Sequence, residues 1–189
     1  YVLPPEQSDM LQEAQIPIVY HDEMRDTKGK LRVLSLFSGC GGMDLGFEGM
    51  FIANRKSFPQ DSLYIDHAIN KNWVMLKKTK FKTVFANDIL NEAEVAWTTY
   101  MSRFGYQPEM YHNISIVDLV KMHKQGADIF PKNIEVVTGG FPCQDFSVAG
   151  KRKGFNSDKD DYGKKREGDE PSEETRGKLY YWMKQVIAT

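Results

Sequence analysis

Cysteine is scarce in this chain: Cys40 and Cys143 are the only two among 189 residues. Two thiols cannot build a disulfide framework, so a reducing, cytoplasmic setting is the simpler expectation. Neither charge is in excess, with 25 basic and 26 acidic residues and a formal net charge of −1. No global field therefore advertises nucleic acid or a strongly basic partner. No apolar run approaches the ~18 residues of a membrane span. The polar start, Tyr1 to Met10, lacks the basic and apolar regions of a secretory signal. Nor is the composition that of a disordered chain, since 41% of residues are hydrophobic and 15 more are glycine. At ~150 residues per domain, the length suits one domain with some excess. The chain opens on Tyr1 rather than Met, which reads as a cut from something longer.

Residues 1–30 carry six acids against three bases, with Pro4, Pro5 and Pro17, and read as a leader with one short helix around Asp9 to Ala14. The character then changes. Arg32 to Phe37 is a β-like run that stops at Ser38-Gly39-Cys40-Gly41-Gly42, and Met43 to Met50 suits a helix. Residues 51–82 interrupt this rhythm with seven bases and two acids. They read as an insertion with its own short helix near Leu63 to Trp73. Its lysines suit a solvated face, and more sharply a surface that touches nucleic-acid backbone. Thr83 to Asn87 is a second strand ending at Asp88. Asn91 followed by Glu94 resembles a capping box, and Ala93, Ala96, Trp97, Tyr100, Met101 and Phe104 recur at helical spacing up to Gly105. Ser115 is a predicted N-cap for a helix running to Gly126. Ile134 to Thr138 is another strand, followed by Gly139-Gly140-Phe141-Pro142-Cys143. Lys151 to Lys178 holds nine bases and eight acids and reads as a loop, and Leu179 to Ile187 opens a helix. The order predicts an α/β fold with a mostly parallel sheet covered by helices.

Ligands of open parallel sheets sit beyond the carboxyl ends of the strands, and three features fall at such ends. The turn Gly39-Cys40-Gly41-Gly42-Met43-Asp44 fails the dinucleotide pattern G-x-G-x-x-G at its sixth position. Its early glycines still let backbone approach a ligand, and a carboxylate suits the helix start as well as a pyrophosphate would. Asp88, ending the second strand, stands where a nucleoside ribose finds its acceptor, although it could simply cap the next helix. Cys143 follows Pro142 in a glycine-flanked turn. An unperturbed thiol is only roughly 3% thiolate at pH 7, so a nucleophilic role needs a nearby base or cation. Burial is the commoner fate of a free cysteine, but the polar neighbours Gln144, Asp145, Ser147, Lys151, Arg152 and Lys153 argue against it. Cys40 reads as a small side chain inside a tight turn. No metal site is expected, and without a C-x-x-C pair a thiol redox role has little support.

Leu36 to Glu48, with Phe37-Ser38-Gly39-Cys40-Gly41-Gly42 at its heart, resembles the cofactor motif of the DNA cytosine-5 methyltransferases. Gly139 to Ser147, continuing through Gly150 to Phe155, is similar to their catalytic motif. Phe85 to Ile89 and His112-Asn113-Ile114 resemble the two intermediate cofactor motifs. Thr175 to Tyr180 resembles the arginine-glycine motif that follows the catalytic loop. The resemblance covers residues ~31–189, with insertions at 51–82 and about 156–174. It implies a Rossmann-like fold dependent on S-adenosyl-L-methionine. It also implies methyl transfer to C5 of cytosine in double-stranded DNA, with the target base flipped out. Cys143 would add at C6, a covalent route that divides one hard step into easier ones. Phe37, Ser38, Gly39, Cys40, Gly41, Gly42 and Met43 would line the cofactor, with the glycines at its methionine end. Asp88 would bind the ribose, Ile89 would lie against the adenine, and Ile114, Pro142 and Leu179 would complete the pocket. Asn113 stands where the family usually has Asp for the adenine amino group, and would offer its amide carbonyl instead. The Phe141 carbonyl would line the cytosine pocket. Gln144, Ser147, Lys151, Arg152 and Arg176 would meet the nucleic acid.

Three family features are missing from these residues: the Glu-Asn-Val motif whose glutamate meets cytosine N3, the region that reads the target sequence, and the C-terminal helix that completes the cofactor pocket. The expectation is therefore an N-terminal portion of a catalytic domain, inactive alone. Its expected partner is a C-terminal remainder or second chain carrying the recognition region. The long insertions suggest a bacterial restriction-modification enzyme. A tRNA cytosine-5 methyltransferase with the same motifs, or a catalytically silent cofactor- or nucleic-acid-binding module, remain the alternatives.

Overall fold

The structure, a computed structural model, describes residues 29–59, 61–141 and 178–189. The expected leader helix at Asp9 to Ala14 lies outside them, as do Pro142, Cys143, Gln144, Ser147, Lys151, Arg152 and Arg176.

Four strands form a parallel sheet: β1 (Leu31–Leu36), β5 (Phe81–Asn87), β6 (Tyr111–His112) and β7 (Val136–Gly139), in the order β6-β5-β1-β7. Between β1 and β5 lie helix α1 (Gly42–Glu48) and a separate antiparallel sheet of β2 (Ile52–Asn54), β3 (Ile65–Ala68) and β4 (Trp73–Leu76). Helices α2 (Asn91–Met101), α3 (Ile116–Lys124) and α4 (Leu179–Ile187) complete the described fold. The expected parallel α/β architecture is present.

Successive strand residues face opposite sides of a sheet. Leu34, Leu36 and Phe85 accordingly enter one core with Leu119 and Val120 of α3 and Leu179, Trp182 and Val186 of α4. Ala86, one residue beyond Phe85, enters a second core with Trp97, Met101, Tyr106, Met110 and Tyr111. Both faces of the sheet are thus covered, which is why β1 and β5 read as almost continuous apolar runs.

The β1–β5 register shifts between Val33 and Leu34, which pair with Thr83 and Phe85. At this bulge the Thr83 N–H donates to the Glu48 carboxylate at 2.7 Å, and Tyr106 donates its hydroxyl to the same oxygen. Glu48 is almost fully buried and accepts from both β5 and Tyr106, so the end of α1 is locked to β5. Immediately after it, Gly49 turns the chain with φ 72° and bridges to Lys78 across the neck of the insertion.

The insertion contains no helix at Leu63 to Trp73. Two strands run there, joined by a turn in which Asn70 Oδ1 accepts the N–H groups of Asn72 at 2.9 Å and Trp73 at 3.1 Å. An asparagine that caps its own turn favours reversal over helix, and Trp73 to Leu76 alternates outward and inward as a strand does. Ser115 is the N-cap of α3, accepting from the Val117 N–H at 3.2 Å. The Asn91–Glu94 capping box does not form: α2 begins at Asn91 itself, and no side chain caps it. Both side chains turn instead towards Asn113.

Candidate active site

Strand β1 ends at Leu36, and the next five residues fold back into a turn. Phe37 takes φ 53°, Gly39 φ 53° and Gly41 φ 88°, values that glycine adopts without penalty and phenylalanine does not. The turn is stitched to β5 by Ser38. Its N–H donates to the Asn87 carbonyl at 2.8 Å, and its hydroxyl accepts from the Asn87 N–H at 3.1 Å while donating to the Ser35 carbonyl at 3.0 Å. Asp88 holds it from the same side, taking the Gly39 N–H on Oδ2 at 2.9 Å. Asp88 Oδ1 accepts from Ile89 at 2.8 Å and Leu90 at 3.2 Å, so the carboxylate anchors the turn and the lead-in to α2 together. From β6, Tyr111 donates its hydroxyl to the Gly39 carbonyl at 3.0 Å. Burial, and then the nearby carboxylates led by Asp88, push the Tyr111 phenol well above its ordinary range, so it remains a donor.

Beneath the turn lies the Trp97 indole. Its N–H donates to Asp44 Oδ2 at 2.6 Å, and both residues are fully buried. Burial raises the Asp44 carboxyl above its ordinary value; the Ser35 hydroxyl and the indole pull it back, and Glu48 adds to the rise. The folded protein therefore holds this proton to a higher pH than the unfolded chain does. The associated stability is fully present below the ordinary Asp range and is lost as pH rises through the raised folded value. Asp44→Asn keeps an acceptor for the indole and removes the charge. Its urea midpoint should gain on that of the native chain as pH is raised from about 4 towards neutral. Parallel pH profiles for the two proteins would contradict this.

On the other side of β1, the Phe37 ring meets Phe141 edge-on, with centroids 6.2 Å apart. A Cβ on Gly139 would stand 2.7 Å from Met183 Sδ, so α4 packs directly on the end of β7.

Of the expected cofactor residues, Phe37, Ser38, Gly39, Cys40, Gly41, Gly42, Met43, Asp88, Ile89, Asn113 and Ile114 all lie at or beside the ends of β1, β5 and β6. Cys40 is exposed and not enclosed within its turn. Leu179 is buried among Leu36, Phe85 and Trp182 in the first core. Asn87, not singled out in the sequence, donates its side-chain amide to the carbonyls of His112 at 2.8 Å and Ile114 at 2.6 Å, and so pins the segment bearing Asn113. Tyr111 and Trp97 also went unread as site residues, because an aromatic at helical or strand spacing reads as core packing.

A family model described as C-5 cytosine-specific DNA methylase matches residues 31–162, which contain the glycine turn, Asp88 and the Asn113 segment. The chain belongs to that family. Among its curated relatives is the type II methyltransferase M.BsuRI of Bacillus subtilis, 35% identical over 126 residues, or 65% of this chain and 25% of the relative. M.BspRI of Lysinibacillus sphaericus is 33% identical over 71% of this chain and 28% of its own length. M1.ScrFI of Lactococcus lactis subsp. cremoris is 27% identical over 97% of this chain and 32% of its own. The match thus spans about a quarter to a third of each of these methyltransferases. Among the described residues, no helix is long and apolar enough to cross a membrane.

Proposed function

We propose that this chain forms part of an enzyme that transfers a methyl group from S-adenosyl-L-methionine to C5 of cytosine in DNA, within a type II restriction-modification system. The observation that carries the reading is the meeting of three strand ends. The glycine turn, Asp88 and the chain leading to Cys143 converge there, with Phe141 against Phe37. Cys143 follows Phe141 by two residues, a chain reach of at most about 7 Å.

The residues fit the methyl donor on three counts. Added side-chain atoms at Gly39 and Gly42 would meet nothing within 4 Å, so space lies above the turn for a ligand's methionine end. Asp88 has three backbone N–H partners, and a carboxylate offers about four acceptor positions, which leaves one for a ribose hydroxyl. Asn113 donates from Nδ2, which leaves its amide oxygen to accept from the adenine amino group. Ile89 and Phe37 would supply apolar surface to the base.

When bound, S-adenosyl-L-methionine supplies an activated methyl group. Cys143 does the covalent work. Its thiolate forms a bond to C6 of the flipped cytosine and pushes electron density onto C5. C5 would then take up the methyl group, a base would remove the C5 proton, and the electrons of that C–H bond would restore the C5–C6 double bond as the thiolate leaves. Pro142 and the Phe141 carbonyl would border the base, Gln144, Ser147, Lys151 and Arg152 would hold phosphates, and Arg176 would return to the active site beside the bound nucleic acid. A glutamate at cytosine N3 and a sequence-reading region would come from further polypeptide.

The test uses the complete protein on duplex DNA containing 5-fluorocytosine, where the fluorine blocks release. A stable protein–DNA adduct that requires the methyl donor and disappears in Cys143→Ser is the expected result. An intact protein that binds this DNA and never becomes linked to it would overturn the assignment.

A further inference from the structure

Asn113 ends in an amide whose two ends have opposite hydrogen-bonding sense. Its Nδ2 donates to Asn91 Oδ1 at 2.5 Å and to Glu94 Oε2 at 2.8 Å. The second contact decides the orientation, because an ionised carboxylate only accepts. Turning the amide over would set its oxygen against the Glu94 oxygen, two acceptors face to face. The backbone cannot swing to relieve such a clash, since Asn87 holds the carbonyls on both sides of Asn113.

We propose that Glu94, assisted by Asn91, is an orientation lock that makes Asn113 a dedicated acceptor and thereby selects a 6-aminopurine over a 6-oxopurine in the cofactor. The proposal rests on the reading of this site as the S-adenosyl-L-methionine site. Glu94 and Asn91 are positioning residues; neither needs to touch the ligand. Without them, the Asn113 amide could turn its NH2 outward and donate to a purine carbonyl as readily as its oxygen would accept from an amino group. The lock also explains why α2 has no capping box: the two side chains that would form one are committed to Asn113. An aspartate at position 113 would present a carboxylate to Glu94 at this same contact, so in this chain the amide is the compatible partner.

The test is titration of the protein with S-adenosylhomocysteine and with S-inosylhomocysteine, its 6-oxo counterpart. The native protein should prefer the amino ligand. Glu94→Ala should cut that preference by about three- to tenfold, the worth of one misdirected hydrogen bond. Glu94→Gln, which keeps a side-chain carbonyl for Nδ2, should retain most of it. Asn113→Asp should weaken the amino ligand, and Asn113→Asp with Glu94→Gln should recover it. A residue that merely supported the fold would shift both ligands in parallel and leave their ratio unchanged, and that outcome in variants with native circular dichroism would overturn the lock. Binding of neither ligand to the native protein would instead sink the cofactor reading, and the lock with it.

Discussion

Gly49→Ala should destabilise the fold by roughly 3–5 kcal/mol, enough to lower the melting temperature of a chain this size by about 10 °C. Two effects add. Gly49 sits at φ 72° and ψ −150°, a region close to the one that only glycine populates comfortably. An alanine Cβ there would lie 2.1 Å from the Lys77 carbonyl oxygen, and that atom is backbone. Lys77 cannot step aside, because Thr79 donates its N–H to the Glu48 carbonyl at 3.1 Å and its hydroxyl to the Phe47 carbonyl. Gly46→Ala is the control. Nothing stands within 4 Å of its added carbon, and it lies inside α1, where alanine is the better helix former. That variant should be stabilised by up to about 1 kcal/mol. Thermal melts of both decide the matter; equal midpoints would refute the neck as a rigid point.

The second large effect is expected at Gly41. Gly41→Ala would bring a Cβ to 2.6 Å from Trp97 Cδ1 at a residue with φ 88°. A side chain usually yields in such a case, but this indole is fully buried and tied to Asp44. The turn must move instead, at roughly 2–4 kcal/mol of stability. A shift of about 1 Å in a positioning element can cost on the order of a hundredfold in function, and S-adenosylhomocysteine affinity should fall by a similar factor. Gly42→Ala separates the causes, since it has neither a positive φ nor a neighbour within 4 Å. It should melt like the native chain, so any affinity it loses reports contact with the ligand itself. Calorimetry and melts on the two variants make the comparison; an affinity for Gly41→Ala within twofold of native would contradict the proposed rigid floor.

The central strands were legible because β1 and β5 are buried on both faces and carry mostly apolar, β-prone runs that stop at a glycine turn or an acid. Ser115 was legible because capping is local chemistry. The insertion was misread for the opposite reason. Its strands are three or four residues long, and only Val74 and Leu76 alternate clearly into the interior. The Asn70 turn is the one signal that could have corrected it. At the site, the glycine turn, Asp88 and Asn113 were visible as residues. Their connections were not, since Gly39 and Asp88 stand 49 positions apart and Asn113 and Glu94 stand 19 apart. The capping box shows how this misleads. Asn91 and Glu94 satisfy the local pattern, yet a partner beyond the next strand outcompetes the helix end for both.

The bridge between Gly49 and Lys78 has a consequence for how such a chain can grow. The two ends of a twenty-eight-residue excursion stand side by side, and none of the excursion's described strands joins the central sheet. Lengthening a segment whose ends are held together costs only a slowly rising closure entropy. Such a neck is a site where evolution, or a protein engineer, can graft new surface onto this fold while the ends of its central strands stay untouched.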